Sequence, residues 1–244
     1  MKNKLKIAVF AYNFSHKKTQ DVILALLSKG VEIDCVLAAN KKKLNFEPSK
    51  KRISVKSSAF VEPRDLCATF NIPYFVVDHN SSSCINIIKE RQCNLGIIAG
   101  ARILKEEVIN CFSIGILNLH PGLIPECRGL DALKWSIYNE IPAGVTAHLI
   151  DSKIDAGKII SKEEIIVEED DTIFDLSSKL YDLELQSLLK AVKLLENDIS
   201  FLDISEKNLE KSNKPMDPTK EEELEKKFLY YKEKMIYEQR KDTK

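Results

Sequence analysis

Short apolar runs that alternate with amphipathic helical stretches constrain the fold of this chain more than any other feature. Apolar runs at residues 6–11, 31–38, 74–77 and 95–99 have the character of buried strands, and a helical pattern follows each of them. Because parallel strands are joined by long crossover connections, usually helices, this alternation predicts an α/β fold. We expect a Rossmann-like, mostly parallel sheet flanked by helices, with ligands bound beyond the carboxyl ends of its strands.

The remaining pattern completes this architecture. Helices are predicted over residues 19–28, 63–70, 83–91 and 105–111, and a late strand over residues 158–167. Thr172, followed three residues later by Asp175, predicts a variant capping box at the start of a long helix. Residues 41–58 are rich in Lys and Ser and lack periodicity, which predicts a surface loop.

A change of composition near residue 200 predicts a boundary between two parts of the chain. Residues 1–200 would form the catalytic domain, and residues 201–244 a short, charged, helical C-terminal extension. Asp217 and Pro218 suit the cap and first turn of a helix. The apolar face of that helix would comprise Leu224, Phe228, Tyr231 and Met235. We expect this face to dock on the domain or on a second subunit, which leaves a homodimer open.

The charge balance and the cysteines narrow the classes of function. The 37 Lys and Arg residues equal the 37 Asp and Glu residues in number, so no bulk positive charge attracts nucleic acid. Six cysteines lack the spacing of metal ligands, which favours reduced thiols, a cytoplasmic protein and no metal centre. The first apolar run is interrupted at Asn13, so we expect neither a signal peptide nor a membrane span.

A polar pair ends the apolar run at residues 114–117. Asn118 and His120 are two residues apart, and on a strand their side chains would leave the same face. Taken singly, Asn118 could cap a turn, His120 could belong to a surface loop, and Asp155 could start a tight turn. His148 suits a structural histidine and a site-lining one equally well.

An ordered set of motifs gives these residues a common context. From residue 95 to residue 167 the chain resembles the 10-formyltetrahydrofolate-dependent formyltransferases, which include the phosphoribosylglycinamide, methionyl-tRNA and sugar N-formyltransferases. The resemblance rests on Ala99-Gly100, Arg102-Ile103-Leu104, Asn118-x-His120-Pro121, Leu123-Ile124-Pro125, Arg128-Gly129, Gly144-Val145-Thr146 with His148, and Asp155-x-Gly157. Asn-x-His alone is a weak signal, whereas the ordered set is specific.

The resemblance implies roles for particular residues. The catalytic trio would be Asn118, His120 and Asp155. The pterin pocket of the co-substrate, 10-formyltetrahydrofolate, would be lined by Arg102, Ile103, Leu104, Ile150, Asp151, Ser152, Lys153 and Ile154. Two positions depart from the family pattern: Ala101 stands alone where relatives often have two residues, and Gly122 replaces a frequent Ser.

The chemistry of formyl transfer explains why such residues are needed. Attack of an amine on the formyl carbon gives a tetrahedral adduct with an oxyanion, which the site must stabilise. Asn118 can donate its amide to that oxygen, and a protonated His120 can add a charge-assisted bond. Asp155 would hold His120 in its cationic form and accept the proton that the amine loses. This chemistry requires neither a metal nor an enzyme nucleophile.

The acceptor amine is less constrained by the sequence. The loop at residues 11–17 has no glycine to cradle a phosphate, which disfavours the purine substrate. The extension carries 11 Lys or Arg residues and 11 Asp or Glu residues, which disfavours tRNA. Residues 128–151 are most similar to the sugar-type members, so we expect a small-molecule amine, a nucleotide-linked amino sugar of surface-glycan biosynthesis. A phosphoribosylglycinamide-type enzyme, a non-catalytic folate-binding homologue and an assembly module stay open as alternatives.

Overall fold

The computed structural model describes residues 4–42, 60–151, 157–197, 202–203 and 212–242. Within these residues, seven strands form one mixed, mostly parallel sheet, and a short strand extends its edge. The strands are β1 (Ile7–Tyr12), β2 (Cys35–Ala39), β3 (Tyr74–Val76), β4 (Leu95–Ile98), β5 (Gly115–His120), β6 (Gly144–Leu149), β7 (Lys158–Glu164) and β8 (Leu202–Asp203). Their spatial order is β3-β2-β1-β4-β5-β6-β7-β8. The predicted α/β class is therefore confirmed.

Helices cover both faces of this sheet. They are α1 (Lys17–Ser28), α2 (Pro63–Thr69), α3 (Ser82–Glu90), α4 (Glu106–Ile109), α5 (Ala132–Asn139), α6 (Ile173–Glu196) and α7 (Pro218–Asp242). One apolar layer joins the sheet to α1, α2, α6 and α7, and a second layer joins it to α3 and α4. The capping box at the start of α6 is present, because the Thr172 side chain and the Asp175 carboxylate each bind the other's backbone amide.

The direction of the sheet reverses at its centre, and this reversal builds the polar face described below. Strands β3, β2, β1, β4 and β5 run parallel, whereas β6 and β7 are antiparallel to their neighbours. In the β5–β6 pair, Asn118 lies opposite His148 and His120 lies opposite Thr146. Because side chains directly opposite each other share one face of a sheet, these four polar residues meet.

The C-terminal extension docks on the domain, as one of the two predicted alternatives requires. Helix α7 packs against α5. All four residues of its predicted apolar face are buried, with Tyr231 fully enclosed. Among the described residues, no helix has both the length and the apolar character needed to cross a bilayer.

The structure differs from the prediction at three elements. Strand β2 starts only at Cys35, because Gly30 turns the chain at a φ of +70° and the Asp34 carboxylate binds the Ile7 amide at 2.6 Å before pairing begins. Helix α4 is a single turn, shorter than predicted. Helix α5 was not predicted, because buried Lys134 and Ser136 interrupt its apolar pattern. Most of the predicted loop at residues 41–58 lies outside the described residues.

Candidate active site

Asn118 is held in place by a buried histidine on the neighbouring strand. Its Nδ2 donates to Nε2 of His148 at 3.2 Å, and the His148 side chain is fully buried. A ring nitrogen that accepts a hydrogen bond carries no proton, so His148 has its proton on Nδ1. A carboxamide has two N–H groups, and His148 takes one of them. The second N–H of Asn118 is not used by this bond.

His120 is oriented by the backbone of the loop that follows it. Its Nε2 lies 2.8 Å from the carbonyl oxygen of Cys127, and its side chain is only 5% exposed. A carbonyl oxygen can only accept, so Nε2 carries a proton and donates. A backbone carbonyl, rather than a side chain, therefore orients the imidazole.

A buried hydroxyl on β6, that of Thr146, organises the loop between His120 and Cys127. Thr146 Oγ1 donates to the Gly122 carbonyl at 2.7 Å and accepts from the Ile124 amide at 3.0 Å. A side chain at position 122 would place its Cβ 2.5 Å from Cys127 O and 2.8 Å from His120 Nε2. The glycine that departs from the family pattern thus leaves room for the hydrogen bond of His120.

The segment that carries the third predicted catalytic residue lies outside the described residues. This segment comprises Ser152, Lys153, Ile154 and Asp155, and their roles stay predictions. The described residues on either side of it lie close together: a Cβ on Gly157 would be 2.1 Å from the Leu149 carbonyl oxygen and 3.2 Å from the Asp151 amide nitrogen. Gly157 has a φ of +103°, which favours glycine at this close approach. The chain therefore leaves the sheet at the end of β6 and returns to it at the start of β7, which pairs with β6.

The described residues of the predicted pterin pocket follow β4 and β6. Leu104 is buried in the apolar layer that also contains Ile116, and Ile150 packs against the same layer. Ile103 is 72% exposed, and Asp151 is also exposed. Ile103 and the partly buried Ile150 present apolar surface on which a flat aromatic ring can pack, so these two residues fit a pterin.

Tyr12, the last residue of β1, packs against the turn that follows β4. Its hydroxyl donates to the Ala101 carbonyl at 3.0 Å, and its ring packs so closely on Gly100 that a Cβ there would lie 2.8 Å from it. Burial raises the pKa of Tyr12, and the nearby Arg102 guanidinium opposes that rise. Arg102 also donates from Nη2 to the Lys42 carbonyl at 3.1 Å. The short turn through Ala101 is thus tied to β1.

A cavity of about 380 Å³ lies beside Pro121, the residue after His120. Its wall combines charges of both signs: Lys18 Nζ forms a 2.6 Å ion pair with Glu184 and lies 3.4 Å from the Leu119 carbonyl oxygen. His16 and Tyr181 also line it. Burial and the Lys18 charge lower the pKa of His16, whose Nδ1 accepts from the Thr19 amide and caps α1. The cavity therefore offers donors and acceptors to a polar ligand.

Several contacts of this region carry no clear signal in the sequence. Trp135 is half-buried, and its Nε1 donates to the Lys214 carbonyl at 2.9 Å. Asn13 accepts at Oδ1 from the Tyr74 hydroxyl at 2.7 Å. Within the described part of the chain, no group of three His, Cys, Asp or Glu residues is placed to hold a metal ion.

A mostly parallel sheet that reverses at β6, with an Asn-x-His pair at the end of β5, defines an α/β fold of the formyltransferase type. The formyl transferase family model matches residues 5–192, well over half of the sequence, and the chain belongs to this family. The family resemblance predicted from the motifs is therefore confirmed.

The relatives are named for different activities. The chain is 28% identical over 160 residues to the methionyl-tRNA formyltransferase of Fusobacterium nucleatum, which covers 65% of this chain and 47% of that protein. It thus spans about half the length of the curated relatives it matches. Two solved structures share the fold. Phosphoribosylglycinamide formyltransferase from Anaplasma phagocytophilum has a TM-score of 0.62 and 24% identity, over 80% of this chain and 89% of that one. A sugar N-formyltransferase from a Shewanella species has a TM-score of 0.59 and 22% identity, over 86% of this chain and 76% of that one.

Proposed function

We propose that this protein transfers a formyl group from 10-formyltetrahydrofolate to an amino group of a small molecule. The observation that carries the proposal is the pair of oriented donors on one face of β5. Asn118 is held by His148 at 3.2 Å with one N–H to spare, and His120 is held by the Cys127 carbonyl at 2.8 Å. Donors that are fixed before reaction stabilise developing charge without reorganisation.

The steps of the transfer follow from these groups. The amine nitrogen bonds to the formyl carbon, and the carbonyl oxygen becomes an oxyanion that the spare N–H of Asn118 binds. His120, when protonated, adds a second, charge-assisted bond to the same oxygen. Asp155 takes the proton from the attacking amine. The oxyanion then collapses to the carbonyl of the new formamide, the bond from the formyl carbon to the folate nitrogen breaks, and that nitrogen leaves with the proton. The co-substrate would be held by Arg102, Ile103, Leu104 and residues 150–154.

A nucleotide-linked amino sugar is the acceptor that we propose. The cavity beside Pro121 has a wall of lysines, carboxylates and the Tyr181 hydroxyl, which suits a ligand rich in hydroxyl and charged groups. The loop after β1 is filled by its own aromatic rings, with Tyr12 and Phe14 stacked at 5.0 Å, and has no glycine at residues 11–17. That composition disfavours a phosphate cradle of the purine type.

Methionyl-tRNA is a second candidate acceptor, because methionyl-tRNA formyltransferases are prominent among the curated relatives. The balanced charge of the extension, with 11 basic and 11 acidic residues from position 201 onward, disfavours it. Helix α7 also packs on α5, so much of its surface is used within the domain.

A panel of acceptors tests the proposal. The protein is incubated with 10-formyltetrahydrofolate and, in separate reactions, a nucleotide-linked amino sugar, charged initiator methionyl-tRNA, phosphoribosylglycinamide, and buffer alone. Mass spectrometry then detects the added formyl group, and folate binding is measured in parallel. We expect formylation of the amino sugar. Transfer to methionyl-tRNA alone would replace the proposed acceptor, and folate binding without transfer to any amine would support a non-catalytic binder instead.

A further inference from the structure

The C-terminal strap, residues 212–242, lies against the loop that orients His120. The Asn213 amide donates to the Arg128 carbonyl at 2.8 Å, and the Leu130 amide donates to the Asn213 carbonyl at 3.0 Å. These two bonds form a short parallel bridge between the strap and Gly129. The match to the family model ends at residue 192, so the strap lies outside the segment that defines the family.

Two further contacts anchor the strap on the C-terminal side of this bridge. The Met216 amide donates to the Asp131 carboxylate at 3.0 Å. Lys134 and Glu221 form a 2.6 Å ion pair in which the two side chains are 6% and 3% exposed. Removing one partner of such a buried pair leaves a costly uncompensated charge. The strap is therefore fixed against the start of α5 and cannot be displaced without disturbing buried charges.

Two consecutive carbonyls connect the strap to the imidazole. The Cys127 carbonyl accepts from His120 Nε2 at 2.8 Å, and the next carbonyl, that of Arg128, accepts from the Asn213 amide at 2.8 Å. Adjacent peptide planes share only two soft dihedral angles, so fixing one plane restricts the other. The position of the strap thus limits where the acceptor of the His120 bond can lie.

Gly129 makes this close approach sterically feasible. A Cβ at this position would lie 2.3 Å from the Asn213 carbonyl oxygen, 2.6 Å from Ser212 Oγ and 2.7 Å from the Asn213 amide nitrogen. Real Cβ atoms essentially never come within 3.0 Å of other heavy atoms, so any side chain here would push the strap away. In this chain, the approach of the strap requires a glycine at position 129.

We propose that the strap is a positioning element of the active site, which acts on His120 through the Cys127 carbonyl. The catalytic consequence rests on the function proposed above, whereas the structural link does not. If the strap is displaced, the peptide between Cys127 and Arg128 gains freedom and the imidazole loses its fixed acceptor. The rate of the chemical step should then fall, while binding of the amine is retained.

The test uses two variants that displace the strap from opposite sides. Gly129→Ala introduces the overlapping Cβ at a residue whose φ is +93°. Its control is Gly30→Ala, because Gly30 also has a positive φ, of +70°, but no atom lies within 4 Å of the added Cβ. Asn213→Pro removes the amide that binds Arg128, and its control is Asn213→Ala, which keeps that amide. Thermal melting identifies which variants fold.

The first readout is the exchange rate of the His120 Nε2 proton, followed by NMR with labelled histidine. His79 is an internal reference, because its Nε2 lies 2.9 Å from the Leu37 carbonyl oxygen and its side chain is 4% exposed. In Gly129→Ala and Asn213→Pro, we expect the His120 proton to exchange at least about tenfold faster, with His79 unchanged. Both controls should match the unmodified protein. An unaltered His120 signal in a folded, strap-displaced variant overturns the proposal.

The second readout is the kinetics of formyl transfer. We expect kcat to fall about 10- to 100-fold in both displaced variants, with KM for the amine changed little. A faster His120 exchange in a protein that formylates no amine would refute the proposed function and leave the positioning role standing. If neither variant folds, hydrogen exchange in the unmodified protein tests the link between the strap and His120. His120 Nε2–H and the Asn213 amide should then share one protection factor, and a longer-lived His120 proton contradicts the link.

Discussion

Asn118 and His120 derive their proposed roles from partners of two different kinds. The partner of Asn118 is a side chain, His148, and the partner of His120 is the backbone carbonyl of Cys127. Period-two alternation is enough to predict that Asn118 and His120 share one face. The sequence did not decide whether His148 has a structural or a site-lining role. Every residue carries a backbone carbonyl, so the sequence could not indicate which one would bind His120.

Replacing His148 tests whether the orientation of Asn118 matters. His148→Phe removes the acceptor of the Asn118 amide, so we expect kcat to fall about 10- to 100-fold with KM nearly unchanged. His148→Gln keeps an acceptor oxygen and should lose less activity. Steady-state kinetics with the acceptor that the panel of amines identifies provides the measurement, and equal rates in all three proteins would rule out an orienting role for His148.

The helices and strands differ in how far their residues predict them. Helix α6 was predicted from its capping box and α7 from its Asp217-Pro218 start and apolar face, because caps and periodicity are local signals. Helix α5 escaped prediction, since Lys134 is buried by an ion pair with Glu221, 87 residues further along the chain. Only the tertiary structure brings that partner into place.

Tyr231 tests how strongly α7 is joined to the domain. Its hydroxyl accepts a 3.0 Å hydrogen bond from the Ala143 amide just before β6, and its side chain is fully buried. Tyr231→Phe would leave that buried amide without its acceptor, so the free energy of unfolding should fall by about 1–3 kcal/mol. Tyr230→Phe is the matched control, because Tyr230 is 68% exposed, and it should change the free energy little. Urea unfolding of both variants provides the measurement, and equal losses would contradict this contribution.

The molecule as a whole should lose stability in mild acid. Burial lowers the pKa of His79, against the opposing effect of its backbone hydrogen bonds, and burial together with the Lys18 charge lowers the pKa of His16. Below the ordinary histidine pKa of about 6.5, the unfolded chain therefore binds more protons than the folded one. The free energy of unfolding should fall with decreasing pH until the folded pKa values are passed, by at most about 1.4 kcal/mol per pH unit for each histidine.

Urea unfolding across pH 7.5 to about 5 measures this slope. His79→Gln keeps a donor for the Leu37 carbonyl and removes the titration, so its slope should be shallower than that of the unmodified protein. An identical slope in the two proteins would show that His79 does not contribute.

The transfer of an isotope-labelled formyl group tests the central claim most directly. The labelled group is supplied on 10-formyltetrahydrofolate, and its appearance on the acceptor amine is compared for the unmodified protein, Asn118→Ala and His120→Ala. We predict labelled product from the unmodified protein and a loss of about 100-fold or more in each variant, with folate binding retained. Undiminished transfer by either variant, or folate binding without transfer by the unmodified protein, would contradict the account.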